Sequence, residues 1–265
     1  MTHEGPGSPE VLLERHGEVG VVTMNRARTR NPLSFTLTDA MLAVLEEAER
    51  DDSLRVLVLT GAGTVFCAGA ELGKLLHPDG IDPETQFRAV RGHNRLVQRL
   101  HEIDLPVIAA VNGPAIGGGA ALALASDLAI AADTASYHFA FGRIGLGACD
   151  MGSTYHLPRL VGAAKARYWL YTAAVVSAEE GLRSGLFLEV VPKPELLDRA
   201  LHVARQIAAA APRRATAMTK LSIARAADND LQTCLGYEAY TQNYLFTRNE
   251  HKESLRALMT RLGML

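Results

Sequence analysis

No long run of basic residues occurs in this chain of 265 residues, and its formal net charge is -2. A nucleic-acid partner is therefore not expected, because binding along a phosphate backbone needs a basic patch or stripe. Cysteine is scarce as well. Cys67, Cys149 and Cys234 are odd in number and widely spaced, with no CxxC pair. That excludes a disulfide framework and suits a reducing, cytoplasmic setting. No apolar run is long enough for a membrane span, since residues 105–125 are broken by Asn112, Pro114 and four glycines. The first ten residues have neither the basic segment nor the apolar core of a secretion signal and read as a ragged tail.

Several catalytic motifs are missing too. There is no GxSxG elbow, and the nine histidines show no HExxH or paired ligand spacing, so no metal site is expected. Gly61-Ala62-Gly63 follows an apolar run as a dinucleotide fingerprint would, but Phe66 stands where the third, helix-packing glycine belongs. Gly73-Lys74 lacks the spacing and the following Ser/Thr of a phosphate loop.

What is present fits a chain that buries a sizeable core, with 48% hydrophobic and 21% charged residues. Residues 107–111 (VIAAV) read as a buried strand closed by Asn112-Gly113. Gly117, Gly118 and Gly119 follow, and then a run of small residues, 120–125, that reads as a tightly packed helix. The first turn of a helix has free N–H groups at the positive end of its dipole, and glycines let a ligand oxygen reach them. Such a turn can trap an oxyanion; equally, the glycines can serve only to pack helix against strand.

Other elements follow from periodicity. Residues 11–13 and 19–24 predict a hairpin, 37–49 a helix, 55–60 a buried strand and 85–102 a long amphipathic helix. Strand–strand–helix units thus recur at about 11–50, 55–103 and 106–126. Residues 128–131 and 188–191 read as further strands, 163–172 and 178–184 as helices, and 142–156 as an irregular glycine-rich loop. Beyond Pro194 the pattern is helical throughout, at 194–211, 213–227, 230–246 and 250–262. The fold class is α/β. If the strands at 55–60 and 107–111 are neighbours, the loop Phe66-Cys67-Ala68-Gly69-Ala70-Glu71-Leu72 and the Gly117–Gly119 turn can aim one N–H each at a single oxygen. Fixed donors of that kind stabilise a thioester enolate, one donor contributing about 3 kcal/mol.

The segments VTMNR, LTGAGTVFCAGAEL, LPVIAAVNGPAIGGG, ASDLAIAAD and LPRLVG, in this order and spacing, resemble the crotonase (enoyl-CoA hydratase/isomerase) superfamily over about residues 11–195. The resemblance implies a crotonase-like spiral of ββα repeats over 1–195 and a helical trimerisation region over 196–265. It implies a homotrimer or hexamer, an acyl-CoA substrate that itself carries coenzyme A, and no other cofactor. The oxyanion donors would be the amides of Ala70 and Gly118. Arg26 and Arg28, with Ala68, Gly69, Glu71 and Leu72, would lie near coenzyme A; a guanidinium suits its phosphates, although a solvated loop accounts for both arginines equally.

The departures from the family pattern bear on the reaction. Where hydratases of this family carry their first glutamate stands Ala121, beside Ala120 and after Gly117, and the segment of the second has Gly142 and Arg143. Two-glutamate hydration therefore has no support, and Arg143 would bring positive charge near the acyl group. One acid remains, Asp150, in a position that resembles that of the acid of alkene-shifting isomerases and aryl-CoA dehalogenases. It would be an acid/base for double-bond migration, or else only a loop cap. Water held by Asp150, or a non-catalytic CoA-binding subunit, are the alternatives. His93, the one helper base available for dehalogenation, reads as a surface residue. His138, Tyr155 and His156 read as packing or gating residues, and Cys67 and Cys149 as small buried ones.

Overall fold

The computed structural model describes residues 8–265; of the ragged tail expected at the N-terminus, residues 1–7 lie outside the described residues. The chain begins with a hairpin, β1 (Val11–His16) and β2 (Val19–Met24), and α1 (Phe35–Arg50) follows. The Ser34 side chain caps α1 by accepting from the Leu37 N–H. Then come β3 (Val56–Gly61), α2 (Pro83–Glu102), β4 (Val107–Val111), β5 (Pro114–Ile116) and α3 (Gly118–Leu124). The α2 start is specified twice, by Asp82 accepting from the Thr85 N–H and by Pro83 in the first turn. Next are β6 (Leu128–Ala132), β7 (Ser136–His138), α4 (Ser153–Val161), α5 (Ala163–Tyr171), β8 (Val175–Ser177), α6 (Ala178–Arg183) and β9 (Glu189–Val191). Four helices close the chain: α7 (Leu196–Ala210), α8 (Arg213–Ala226), α9 (Leu231–Phe246) and α10 (Asn249–Arg261).

Strands β1-β2-β3-β4-β6-β9 form one sheet, parallel apart from the β1–β2 hairpin. Its inner strands β3 and β4 are almost wholly buried, which accounts for their unbroken apolar sequences. A second, thin sheet has the order β5-β7-β8. It was not expected, because strands of three residues leave no periodicity to read. The thin layer continues beyond β5 through isolated parallel bridges, Cys67 with Ala115 and Leu33 with Ala70. The first unit therefore puts its hairpin and each later one a single strand in the large sheet, each adds a short extended piece to the thin layer, and successive units stack. This is the crotonase spiral.

Two other expectations are corrected. Residues 142–156 are not irregular: a 3-10 helix covers Ala140–Ile144, and α4 begins at Ser153, its start hidden by the glycines and by an internal Pro158. The small-residue helix begins earlier than 120, because Gly118 and Gly119 already belong to it.

The helices after β9 do not all stand apart. Helix α7 lies across β3 and β4, and α8 is pinned to the core by Lys220. Lys220 is only 8% exposed. Its ammonium donates to the carbonyls of Leu100 (2.8 Å) and Leu105 (3.0 Å) and pairs with Asp127 at 2.9 Å. Asp127 in turn accepts from the Val107 N–H at the start of β4. Breaking a buried pair by removing one partner strands the other, so Lys220→Met is expected to lower unfolding stability by about 3 kcal/mol. Urea titration followed by circular dichroism measures this directly.

Candidate active site

Parallel pairing of β3 with β4 delivers the loops after both strands to the same edge of the sheet. A short ladder then stitches those loops together. Phe66 N–H donates to the Pro114 carbonyl (3.1 Å) and Ile116 N–H to the Cys67 carbonyl (2.9 Å). Asn31, fully buried, supports the first loop from below by donating to the carbonyls of Ala62, Val65 and Phe66. The approach is so close that a methyl on Gly119 would lie 2.3 Å from the Cys67 oxygen. On Gly69 it would lie 2.5 Å from the Ile116 oxygen and 3.3 Å from the Gly118 nitrogen. Gly69 also has φ +78°, a conformation that disfavours any side chain.

The directions of the Ala70 and Gly118 amides follow from their peptide planes. In a trans peptide the carbonyl and the next N–H point opposite ways. The Gly69 carbonyl accepts from the Leu33 N–H at 2.7 Å, so the Ala70 N–H faces away from Leu33. The Gly117 carbonyl accepts from the Ala121 N–H at 3.1 Å along α3, so the Gly118 N–H points out of the start of that helix. Among the described residues neither amide donates in a main-chain turn, loop or cap hydrogen bond. The loops that carry the two are thus brought close, and each amide's plane is held by its carbonyl.

Asp150 immediately precedes Met151, which packs against Gly118. It opens a tight turn in which the Ser153 N–H donates to the Asp150 carbonyl (2.9 Å), with φ +47° at Met151 and +75° at Gly152. A methionine in that region is strained by roughly 1 kcal/mol. Its buried sulfur lies 2.9 Å from where a Cβ on Gly118 would stand, so the residue next to Asp150 rests on one of the two amides. The Asp150 carboxyl is half-buried, and burial raises it above its ordinary range; nearby His93 and the Met151 N–H oppose that rise. A carboxyl raised in this way is suited to taking and returning a proton.

His93 is not the surface residue that its helix suggested. It is 7% exposed and pushed below its ordinary range by burial, while Asp150 and the Leu33 backbone pull it up. The signal was there: Ala89, His93, Leu96, Val97 and Leu100 form one buried stripe on α2. Cys149 is corrected as well, being exposed, whereas Cys67 is buried and its thiol is pushed up to about 12 by desolvation.

Other expected residues take their places around this centre. Arg26 donates to the Ser34 hydroxyl (2.9 Å) and pairs with Glu71 (3.4 Å) and Glu10 (3.8 Å), tying the loop after β2 to the loop after β3. Glu71 also holds Lys74 at 3.2 Å. Arg28 is exposed on the same loop, and Leu72 is 76% exposed. Ala68 is half-buried and donates to the Arg30 carbonyl. Ala120 and Ala121 are fully buried in α3. Arg143 is exposed and donates to the Ala173 carbonyl (3.2 Å), where its charge helps burial to depress His138. His156 packs edge-on to Tyr155 and His101 and is lowered to about 4 by burial. Among the described residues no cluster of His, Cys, Asp or Glu could hold a metal ion, and no helix is long and apolar enough to cross a membrane.

Residues 14–263 match the family model of enoyl-CoA hydratase/isomerase. The chain belongs to the enoyl-CoA hydratase/isomerase family. It is 36% identical to a short-chain-enoyl-CoA hydratase of Clostridium acetobutylicum, over 94% of each chain. It is likewise 36% identical to the 1,2-epoxyphenylacetyl-CoA isomerase of Escherichia coli, over 93% of this chain and 94% of that one. A crystal structure of an enoyl-CoA hydratase from Bacillus anthracis superposes with a TM-score of 0.89 at 32% identity, covering 95% of this chain and 96% of that one. As a member of the enoyl-CoA hydratase/isomerase family, the protein is an enzyme of acyl-CoA thioesters, with coenzyme A carried in by the substrate.

The close approach at Gly69 provides a test. In Gly69→Ala the methyl must displace the Gly69–Ala70 peptide from the Ile116 carbonyl. Steady-state kinetics on an enoyl-CoA should show turnover lower by about 10²- to 10³-fold, the usual cost of one oxyanion donor.

Proposed function

We propose that the protein shifts the double bond of an enoyl-CoA. In this reading the amides of Ala70 and Gly118 grip the thioester carbonyl, and Asp150 carries the proton. The supporting observation is a half-buried carboxyl whose neighbour Met151 rests on Gly118, in a site where alanine stands at 121. The Asp150 carboxylate removes a proton from the carbon next to the thioester carbonyl. The C–H electron pair moves into an enolate conjugated with the alkene, and the two amides bear the oxygen's charge. Asp150 then returns the same proton at the far end of the conjugated system, so no water is consumed. A monofunctional enoyl CoA isomerase from M. smegmatis, 33% identical with a TM-score of 0.74, supports this reading.

The remaining roles follow from placement. Arg28 would meet the phosphates of coenzyme A. The Arg26–Glu71 pair would order the loop formed by Ala68, Gly69 and Leu72 around the thioester arm. Gly117 and Ala121 would border the acyl chain, with Arg143 outside at the rim. Exposed Ile223, Leu231, Tyr240 and Phe246 on α8 and α9 favour burial against other copies in a trimer or hexamer, built by the region after residue 195. Three free cysteines suit the cytoplasm.

A second reading is addition or attack of water held by Asp150, whose carboxyl is half-buried and raised by that burial. Product mass separates the two, since isomerisation leaves it unchanged and hydration adds one water. Asp150→Asn is expected to lower isomerisation of a 3-enoyl-CoA by about 10²- to 10⁴-fold. In the parent, kcat/KM should rise with pH through the elevated Asp150 carboxyl, because the ionised form is the base. An Asp150→Asn enzyme with parental activity would remove Asp150 from the reaction.

A further inference from the structure

A positive φ is uncommon outside glycine, and at Met151 (+47°) it falls on a side chain only 2% exposed. Glycine would take that conformation freely, whereas a larger residue there is strained. The next position in the same turn shows the contrast, since Gly152 has φ +75° and no side chain. What the Met151 side chain touches must therefore account for its presence. Its sulfur lies 2.9 Å from where a Cβ on Gly118 would stand, and that point is 3.1 Å from Leu33 Cδ1 and 4.0 Å from the Gly69 Cα. Gly118 carries one of the two candidate amides, and Gly69 directly precedes the other. The thioether is thus wedged where the two loops meet, on the residue that follows Asp150.

We propose that Met151 selects acyl groups that are unsubstituted at carbon 2, the carbon next to the thioester carbonyl. This selection rests on the isomerase reading, which puts carbon 2 between the Asp150 carboxyl and the two amides. Carbon 2 is two bonds from the oxygen that the amides hold, so a bound acyl group begins beside the Met151 sulfur. Leu33 shares the contact on Gly118, but its N–H is bonded to the Gly69 carbonyl and its side chain is fully buried. Methionine is unbranched, and its thioether can swing aside to admit a straight chain. A methyl branch on carbon 2 adds volume where the sulfur is already packed against glycine. Close-packed groups do not make room for a whole methyl without cost.

The experiment compares the parent with Met151→Gly, Met151→Ala and Asp150→Asn. Calorimetry measures the Kd of three saturated thioesters that are isomers of one another: valeryl-CoA, 2-methylbutyryl-CoA and 3-methylbutyryl-CoA. None has an alkene to shift, so binding is read without isomerisation. The parent should bind valeryl-CoA about 10-fold or more tighter than 2-methylbutyryl-CoA, the usual discrimination for one carbon in a packed pocket, and should penalise the 3-methyl isomer less. In Met151→Gly and Met151→Ala the ratio for the 2-methyl isomer should fall to near one. A merely structural role for Met151 would weaken all three thioesters together and leave the ratio alone. Should Met151→Ala fold poorly, Met151→Gly carries the test, since it also relieves the strained φ.

A parental preference in the folded Met151 variants would overturn the inference, as would equal affinity of the parent for valeryl-CoA and 2-methylbutyryl-CoA. So would a parent that penalises both branched isomers alike, because the contact would then not lie at carbon 2. Asp150→Asn separates the two readings. It should keep the preference while losing isomerisation of a 3-enoyl-CoA. Were the preference lost there too, the carboxyl and not the thioether would set it, against the inference. If Asp150→Asn isomerises at the parental rate, the isomerase reading fails, and the ratios of the Met151 variants still decide whether Met151 selects at carbon 2.

Discussion

The site depends on the pinning of two peptide planes by hydrogen bonds that their own carbonyls accept. The Gly69 carbonyl is held by Leu33 and the Gly117 carbonyl by Ala121, and in each case the opposite end of the plane is an amide with nothing to bind. Water would have to reorganise to present two donors to one oxygen, whereas amides fixed on folding need not. The requirement reaches back into the architecture. Leu33, Ala70, Cys67 and Ala115 form the bridges by which successive turns of the spiral stack, so the ladder that holds the fold together also fixes the loop that carries the Ala70 amide.

Much of this was legible in the residues. The strand at 107–111, the glycines at 117–119 and the loop at 66–72 could be read from apolar runs and turn chemistry, because buried parallel strands and glycine turns leave strong local signals. The absence of carboxylates at 121, 142 and 143 could also be read directly. The thin sheet could not, since its strands are three residues long and owe their conformation to neighbours far away in the chain. The turn at Met151 was equally opaque, because nothing local favours a positive φ at methionine.

His93 shows how a correct pattern can be read too weakly. Its helix is amphipathic, and the histidine lies on the buried stripe between Ala89 and Leu96. A polar residue in an apolar stripe ordinarily suggests a helix edge. Here the stripe is buried, and the Leu33 backbone and Asp150 both favour the charged imidazole that burial disfavours. Arg26 is the converse case. Its charge suggested a ligand, and the structure adds that Glu71, Glu10 and Ser34 engage it, so that it braces two loops.

The burial of Asp150 has a thermodynamic side. A carboxyl that holds its proton more tightly in the native chain than in the unfolded one favours folding while it is protonated. That advantage disappears as pH climbs from the unfolded value through the raised native one. Above it, the ionised side chain opposes the fold that encloses it. An ionised Asp150 therefore comes at some expense in conformational stability, and the strained turn at Met151 adds to the same side of the balance.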